Sequence, residues 1–492
     1  MEEKELPIKT IKDSNGNSYV LDSVLGQGGQ GMVCKTKDSA IAVKFVMKDD
    51  QVLQDEKYYD LYSNKINDVV VMNIDSDINL CHPYTMLERP YCGYVMHMLS
   101  DLKPIANLIY DSNSDNGLSS QFLESGGLKK KFEVLIELSR TLARLHSKGI
   151  VYCDISPNNV FFSDTENFSK VWLIDCDNLK YTNDVKSGIF TPGYGAPEVA
   201  LNASSNTIFS DCFSFAVLAF KVLTSRNPFE VNYEDTASSD GWDASTTAST
   251  DEDNISANNI PWLFEDGVIQ KEYFNHFLTK DLITLFDKTF SKHGRYNPES
   301  RPSMREWYSV LKDCYLKINK CQCGRYIFAG EIECPFCHEK PTYTYYGLLM
   351  NYYPKTEESI NAIKDEQHKN DLGDLEFIDG ILDKQTNASS EKVCNFIIYE
   401  GSTIYNFNIN QISIYESPYP LLKFMQRNGY LYIENKSTSN ISYFYKNNRG
   451  TLMSGQQIPI TLTNSKEICQ LYFKDPDSSI NHAIIIKTIW KN

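Results

Sequence analysis

The stretch Leu-His-Ser-Lys-Gly-Ile-Val-Tyr-Cys-Asp-Ile-Ser-Pro-Asn-Asn, residues 145–159, contains the pattern that decides the fold. Within it, Asp154 is followed by Asn159 on a segment that reads as a loop. A carboxylate and an amide this close together supply a proton acceptor and an oxygen ligand for a cation. Asp175, which follows the apolar pair Leu173-Ile174, is a second candidate ligand. A loop aspartate is ordinarily only solvated, but these residues in this order favour one shared site.

A glycine-rich segment and a lysine precede this stretch. Residues 26–33 read Gly-Gln-Gly-Gly-Gln-Gly-Met-Val, and Lys44 ends the run Ile-Ala-Val-Lys, which is typical of a strand. Backbone amides reach phosphate oxygens closely where no Cβ intervenes, so Gly26, Gly28 and Gly31 fit a phosphate cradle. An ordinary glycine-rich turn is the alternative, which the lysine on the next strand disfavours. A cradle, a cation, a base and metal ligands in this order are typical of phosphoryl transfer.

Residues 19–318 resemble the catalytic domain of eukaryotic-type (Hanks-type) Ser/Thr protein kinases. The resemblance implies an α+β, bilobal fold with an N-lobe at 19–99 and a C-lobe at 100–318. It also implies transfer of the γ-phosphoryl group of ATP, with Mg²⁺ or Mn²⁺, to Ser or Thr hydroxyls of a protein substrate. Four residues take catalytic roles by this resemblance: Asp154 as the base, Asn159 and Asp175 as Mg²⁺ ligands, and Lys44 on the α- and β-phosphates.

The resemblance further implies a nucleotide site with a carboxylate that holds Lys44. Glu56, on the first predicted helix, is assigned this role, and Asp55 and Asp60 stay open as alternatives. Val33 is expected to pack on the adenine. The implied nucleotide-binding residues are Gly26, Gly28, Gly31, Val33, Lys44, Glu56, Met96 near the gatekeeper position, and Met98.

The segment Thr-Pro-Gly-Tyr-Gly-Ala-Pro-Glu, which ends at Glu198, resembles the substrate platform of Ser/Thr kinases. By this resemblance Thr191 bridges to Asp154, and Glu198 forms a buried ion pair with Arg301. Asp211 is expected to organise the catalytic loop from a core helix.

Three departures from the kinase pattern bear on activity. Cys153 stands where many regulated kinases have Arg, and Ser156 replaces the usual catalytic-loop Lys. Asp175-Cys176-Asp177 replaces Asp-Phe-Gly and keeps the metal ligand. Two alternatives to a protein kinase stay open: a pseudokinase scaffold that binds nucleotide or partner proteins, and an enzyme that transfers a nucleotidyl group to protein.

The motifs Asp-Ile-Ser-Pro-Asn-Asn, residues 154–159, and Leu-Ile-Asp-Cys-Asp, residues 173–177, are similar to those of a bacterial kinase group. That group is associated with a PP2C-type phosphatase and a von Willebrand-type protein. The resemblance therefore implies both as partners.

Four cysteines cluster after the kinase-like region: Cys321, Cys323, Cys334 and Cys337. Two closely spaced thiol pairs suit tetrahedral Zn²⁺, which would stabilise a segment too short to fold alone. The spacing predicts a structural zinc knuckle over 319–342. His338 is an alternative ligand, and a redox dithiol is an alternative function.

The remaining segments carry weaker signals. Residues 232–258 are acidic and rich in Ser and Thr, which predicts a disordered insertion in the C-lobe. Residues 343–390 read as a linker with a helical piece, and 391–492 as a small β-sandwich from their short β-rich runs. This last region faintly resembles a forkhead-associated domain around residues 428–440.

Composition narrows the function classes. The chain has 492 residues and a net charge of −16, which argues against general binding to nucleic acid. No apolar run is long enough to span a bilayer, so no membrane role is expected. The acidic N-terminus lacks the apolar core of a secretion signal, and a cytoplasmic location is predicted.

Overall fold

The computed structural model describes residues 6–28, 31–109, 127–164, 168–183, 188–229, 261–265, 276–354, 388–409, 414–446, 448–464, 467–474 and 481–489. The chain divides into two compact units, Met1–Leu311 and Lys312–Asn492. The predicted acidic insertion at 232–258 lies outside the described residues.

The first unit begins with an antiparallel sheet and one helix. The strands of its sheet are β1 (Thr10–Lys12), β2 (Ser18–Gly28), β3 (Gly31–Thr36), β4 (Ile41–Lys48), β5 (Gln51–Val52), β6 (Pro83–Met86) and β7 (Gly93–His97), and helix α1 spans Glu56–Val70. The order is β1-β2-β3-β4-β7-β6, with β5 paired to β4. The central strand β4 is buried along most of its length, as its apolar run predicts. Strand β1 extends the sheet beyond the predicted start of the N-lobe at residue 19.

Helix α1 starts where Asp55 caps it by accepting a hydrogen bond from the Tyr58 amide. Its buried residues recur at intervals of three and four, and they pack the helix against the sheet. They are Tyr59, Tyr62, Ile66 and Val69. The face that carries Glu56 and Asp60 is exposed.

The rest of the first unit is mainly helical. Its helices are α2 (Gly127–Ser147), α3 (Pro197–Ala200), α4 (Ile208–Thr224), α5 (Lys280–Phe290), α6 (Lys292–Tyr296) and α7 (Met304–Leu316), which continues into the second unit. Short strands are β8 (Leu102–Pro104), β9 (Ile150–Val151), β10 (Val160–Ser163), β11 (Val171–Leu173) and β12 (Lys180–Tyr181). Four leucines that recur at intervals of three and four residues are buried in α2: Leu135, Leu138, Leu142 and Leu145. The α+β, bilobal arrangement predicted for this region is thereby present.

The second unit contains a short hairpin and two larger antiparallel sheets. The hairpin is β13 (Ile318–Lys320) and β14 (Tyr326–Phe328). The other elements are β15 (Tyr345–Pro354), β16 (Ala388–Ile398), β17 (Thr403–Tyr405), α8 (Asn406–Ile409), β18 (Pro420–Arg427), β19 (Tyr430–Asn435), β20 (Ile441–Tyr445), β21 (Asn448–Leu452), β22 (Gln457–Ile460), β23 (Cys469–Lys474) and β24 (Asn481–Thr488). One sheet has the order β16-β15-β24-β23-β20-β21 and the other β17-β18-β19-β22. Side chains from both, such as Ile484 and Phe424, form one core.

The predicted linker at 343–390 is wrong for its first part. Residues Tyr345–Pro354 form strand β15, which pairs with both β16 and β24. The partner β24 lies more than a hundred residues away along the chain, so the local pattern did not reveal the pairing. Residues 355–387, with the helical piece predicted there, lie outside the described residues.

Among the described residues, no helix combines the length and the hydropathy needed to cross a membrane.

Candidate active site

Asp154 lies on the loop between β9 and β10, and two hydrogen bonds hold its carboxylate, one from within the loop and one from Thr191. Thr191 Oγ1 donates to Asp154 Oδ1 at 2.6 Å, and Asn159 Nδ2 donates to Asp154 Oδ2 at 2.9 Å. The bridge from Thr191 to Asp154 is the one predicted. Burial raises the pKa of Asp154, and the bonds from Thr191 and Asn159 partly offset this rise. A half-buried carboxylate with fixed geometry is suited to accept a proton.

Asp211 holds the backbone of the loop from helix α4. Its Oδ2 accepts from the Tyr152 amide at 2.7 Å, and its Oδ1 accepts from the Cys153 amide at 3.0 Å. His146 Nε2 lies 3.1 Å from the same Oδ2. Cys153 has a φ of 78°, a left-handed conformation that is costly for a side chain other than glycine. The buried carboxylate therefore stabilises a strained loop, which confirms the predicted role of Asp211.

Lys44 on β4 meets two carboxylates of one turn. It pairs with Asp175 Oδ1, and its Nζ lies 3.1 Å from Asp177 Oδ1. Burial alone would lower the pKa of Lys44, but the charges of Asp177 and Asp175 outweigh burial and raise it. The ammonium group is therefore held charged beside the metal-ligand candidate.

The assignment of Glu56 as the partner of Lys44 is wrong in this structure. Glu56 Oε2 lies 2.6 Å from Arg89 Nη1, with 67% of the Glu56 side chain exposed. Asp60 also pairs with Arg89, and Asp55 caps α1. Helix α1 packs Tyr59 and Tyr62 against the sheet, so Glu56 and Asp60 face solvent instead of Lys44. The sequence pattern favoured an acid on the helix, and Asp177 was therefore missed.

Glycine residues lie at the paired ends of β2 and β3, next to strand β4, which carries Lys44. A Cβ on Gly31 would lie 3.0 Å from Lys44 Cε and 3.1 Å from the Phe45 carbonyl oxygen. Cβ atoms on Gly26 and Gly28 would meet no atom of the described residues within 4 Å. Gly31 therefore allows close passage of the lysine, and the space beside Gly26 and Gly28 is open to a ligand.

An apolar cluster joins β4, β7 and α1 and also includes Ile174, which follows β11. It contains Met96 together with the partly buried Val33 and Met98, the three residues that the kinase resemblance assigns to the nucleotide site. Ala42 and Ile174 belong to the same cluster and were missed. Ala42 shares a strand face with Lys44, two residues away, which is a signal that strand periodicity could have provided. Apolar side chains beside Lys44 are suited to contact a flat, apolar ring.

Comparison with known proteins fits this geometry. Residues 19–311, more than half of the chain, match the protein kinase domain family. The chain belongs to the protein kinase domain family. Similar proteins include serine/threonine-protein kinase pkn2 of Myxococcus xanthus, 34% identical over 105 residues, which cover 20% of this chain and 12% of that protein.

Two eukaryotic relatives align over longer segments. The probable serine/threonine-protein kinase fhkE of Dictyostelium discoideum is 24% identical over 46% of this chain and 32% of its own length. The human ribosomal protein S6 kinase alpha-2 is 29% identical over 45% of this chain and 29% of its own length. The chain thus spans less than a third of the length of each of these three relatives.

Two hydrogen bonds hold the chain where it leaves β7. The Met98 amide donates to the Ala40 carbonyl at 2.8 Å, and the Cys81 thiol donates to the His97 carbonyl at 3.4 Å. These bonds fix the residues that follow Met96 at the end of β7. Leu99, which follows Met98, packs against the apolar cluster.

The segment that ends at Glu198 is tied to the helices of the first unit by the predicted ion pair with Arg301. Arg301 Nη1 and Nη2 lie 2.8 Å from Glu198 Oε1 and Oε2, which is a bidentate arrangement. Arg301 Nε also donates to the Gly294 carbonyl at 2.8 Å. Asn206 was missed; its Nδ2 donates to the Cys153 carbonyl at 3.2 Å and to the Ile189 carbonyl at 2.7 Å.

The donor set fits a hard divalent cation and a nucleotide. Asn159 Nδ2 is engaged by Asp154, which leaves the amide oxygen as the available ligand atom. Asp175 keeps 29% of its side chain exposed. A carboxylate and an amide oxygen beside a charged lysine are the groups that Mg²⁺ and phosphates require.

The cysteine cluster lies in the second unit beside the β13–β14 hairpin. The Sγ atoms of Cys321 and Cys337 are 3.7 Å apart, and those of Cys323 and Cys334 are 3.8 Å apart. All four sulfurs lie within 4.8 Å of one another. His338 is directed elsewhere, because its Nδ1 lies 2.9 Å from Glu333 Oε1 and its side chain is exposed.

Proposed function

We propose that the chain is an ATP- and Mg²⁺-dependent protein kinase that phosphorylates Ser or Thr hydroxyls of proteins. The observation that carries the proposal is the position of Asp154, bonded to Thr191 and Asn159. Asp175, which is close enough for its charge to act on Asp154, pairs with Lys44. The names of the similar kinases support the Ser/Thr specificity.

The proposed reaction assigns one role to each residue. Asp154 accepts the proton of the substrate hydroxyl while the hydroxyl oxygen forms a bond to the γ-phosphorus of ATP. The bond between the γ-phosphorus and the oxygen that bridges it to the β-phosphate breaks, and ADP leaves. A carboxylate has about four lone-pair sites, so the bonds from Thr191 and Asn159 leave room for the hydroxyl. Lys44 orients the α- and β-phosphates. When bound by Asn159 and Asp175, Mg²⁺ neutralises phosphate charge.

Ser156 motivates the rival function of a pseudokinase scaffold, because it supplies no positive charge to the transferring group. The test uses purified protein, a generic acceptor protein, Mg²⁺ and ATP labelled at either the γ- or the α-phosphorus. We expect only the γ-label to enter protein, on Ser or Thr, and to disappear in Asp154→Ala and Asp175→Ala. Incorporation of the α-label would support nucleotidyl transfer instead. ATP binding without any label in protein would support the scaffold.

We propose further that Cys321, Cys323, Cys334 and Cys337 bind a structural zinc ion. Four sulfurs about 2.3 Å from one tetrahedral ion lie about 3.8 Å apart, whereas a disulfide needs about 2.0 Å. The two measured separations, 3.7 and 3.8 Å, fit the tetrahedron. Every cysteine of the chain is a free thiol, which supports a reducing, cytoplasmic location. Four protein ligands leave no open position, so the proposed role is stability.

The proposed partners are a protein substrate, a PP2C-type phosphatase and a von Willebrand-type protein. The last two rest on the resemblance of residues 154–159 and 173–177 to the bacterial group. The two sheets of the second unit are proposed as a β-sandwich interaction module. Co-purification with each candidate protein, compared with a chain truncated after Lys317, tests the partners.

A further inference from the structure

We propose that Asp177 is the positioning residue that holds Lys44 and couples it to helix α1. This inference deepens the proposed kinase function, because Lys44 is the residue assigned to the phosphates. Asp177 follows Asp175 by two positions on one short turn, and both carboxylates reach Lys44. The two acids differ in exposure and therefore in role.

Both oxygens of Asp177 are occupied by groups from three elements. Oδ1 accepts from Lys44 Nζ at 3.1 Å and from the Tyr94 hydroxyl at 3.3 Å. Oδ2 accepts from Lys65 Nζ at 3.3 Å and from the Tyr62 hydroxyl at 3.3 Å. Tyr62 and Lys65 lie one turn apart on α1, whereas Lys44 and Tyr94 lie opposite each other on β4 and β7. One carboxylate thus joins the helix to the sheet.

Burial makes these contacts necessary. Only 8% of the Asp177 side chain is exposed, and a buried carboxylate is tolerated where cations and hydroxyl donors compensate its charge. Lys65 is held in turn, because its Nζ also donates to Asn178 Oδ1 at 2.7 Å. The network therefore fixes the position of Lys44 before any ligand binds.

Asp175 cannot hold the lysine alone. Its side chain is 29% exposed, and Asp175 is also a proposed ligand of the cation. A carboxylate that turns to a cation loosens its hold on Lys44, and Asp177 keeps the lysine in place. The acids first considered for this role, Glu56 and Asp60, pair with Arg89 on the exposed side of α1.

The test compares Asp177→Asn, Lys65→Met and the double variant with wild type, and uses Asp60→Asn as the matched control. Asp177→Asn keeps the shape of the side chain and removes its charge. A misplaced phosphate-binding group costs on the order of 100-fold, so we expect kcat/KM for ATP to fall about 10- to 100-fold. In Lys65→Met, kcat/KM for ATP should fall less. In the double variant it should fall no further than in Asp177→Asn alone. Asp60→Asn should match wild type.

Two readouts are independent of turnover. The first is the affinity for a fluorescent ATP analogue in EDTA, which should weaken in Asp177→Asn and Lys65→Met. The second is amide hydrogen exchange in α1, which should accelerate in both variants and stay unchanged in Asp60→Asn. Both measurements remain decisive if wild type transfers no phosphate, so failure of the proposed function is distinguishable from failure of this inference.

The inference is overturned if folded Asp177→Asn keeps wild-type affinity for the analogue and wild-type exchange in α1. It is also overturned if the losses of Lys65→Met and Asp177→Asn simply multiply, because independent sites do not share one network. If Asp177→Asn fails to fold, Lys65→Met decides. Unchanged nucleotide affinity in that variant would then refute the coupling.

Discussion

At the scale of single residues, the site depends on carboxylates that differ in environment. Asp154 is half-buried and bonded to Thr191, Asp177 is buried among cations and hydroxyls, and Asp175 is partly exposed. Burial raises the pKa of Asp154, whereas Lys44 and Lys65 overcome the effect of burial on Asp177 and lower its pKa. The three environments suit three different roles, which are accepting a proton, fixing a lysine and binding a cation.

The pKa of Asp154 makes a prediction about pH. A general base acts as the carboxylate, so kcat falls as the pH drops through the pKa of Asp154. The bond from Thr191 favours the charged form and lowers that pKa. Thr191→Val removes this bond, so we expect the acid limb of the profile of kcat against pH to move to higher pH. Thr284→Val, on the exposed side of α5, is the control and should leave the limb unchanged. A limb that stays in place in Thr191→Val would contradict the role of this bond.

Sequence motifs predicted most of these residues and missed one important one. Asp154, Asn159, Asp175 and Lys44 were found because each lies within a short pattern. Asp177 was not assigned a role, since its importance comes from residues distant along the chain that converge on it.

At the scale of elements, buried ion pairs tie segments together. The pair of Glu198 and Arg301 links α3 to the residues after α6. Exposed pairs, such as Arg89 with Glu56, lie in water and contribute little. The stabilising effects of the two pairs can be compared directly, because each consists of an arginine and a glutamate.

We expect Arg301→Met to lower the free energy of unfolding by about 3–5 kcal/mol, because Glu198 would keep a largely buried charge without its partner. Arg89→Met, the matched control, should leave it nearly unchanged, because the Arg89 pairs are exposed to water. Urea denaturation of the two variants beside wild type measures both values. Equal effects would show that burial of the Glu198 pair does not determine its contribution.

The cysteine cluster makes a prediction at the same scale. Purified protein should contain about one equivalent of zinc, since four thiolates fill a tetrahedral site. Cys334→Ser should lose the metal and lower the melting temperature of the second unit, whereas Cys394→Ser should retain it. Mass spectrometry measures the metal content, and calorimetry with and without a chelator measures the melting temperature. Full zinc content in Cys334→Ser would contradict the assignment.

At the scale of the whole molecule, the chain has two compact units with separate cores. All residues assigned to catalysis lie in the first unit. The kinase match, residues 19–311, ends where this unit ends. The chemistry is therefore expected to reside in that unit alone.

Truncation after Lys317 tests this division. The shortened chain keeps α7 complete and retains Trp307, which is fully buried. We expect it to transfer phosphate from ATP to a generic acceptor within a few-fold of the full chain. A folded but inactive product, judged by circular dichroism and thermal melting, would show that the second unit is required for catalysis.

The kinase fold could be predicted from the sequence because ordered motifs specify it. The linker prediction failed at Tyr345–Pro354, where a strand is completed by a distant partner. The assignment of Glu56 to Lys44 failed for a similar reason. Which side of α1 is exposed became known only from the structure, where Tyr62 and Ile66 pack inward. Local patterns identify elements and motifs, whereas long-range pairing and side-chain direction depend on packing.

The variant Asp154→Asn separates nucleotide affinity from phosphoryl transfer. Wild type and variant are compared for affinity to Mg²⁺-ATP and for the rate of γ-label transfer to protein. We predict equal affinities and a transfer rate lowered about 100- to 10,000-fold, because the base acts in the transition state. A folded Asp154→Asn protein that transfers label at the wild-type rate would contradict the account.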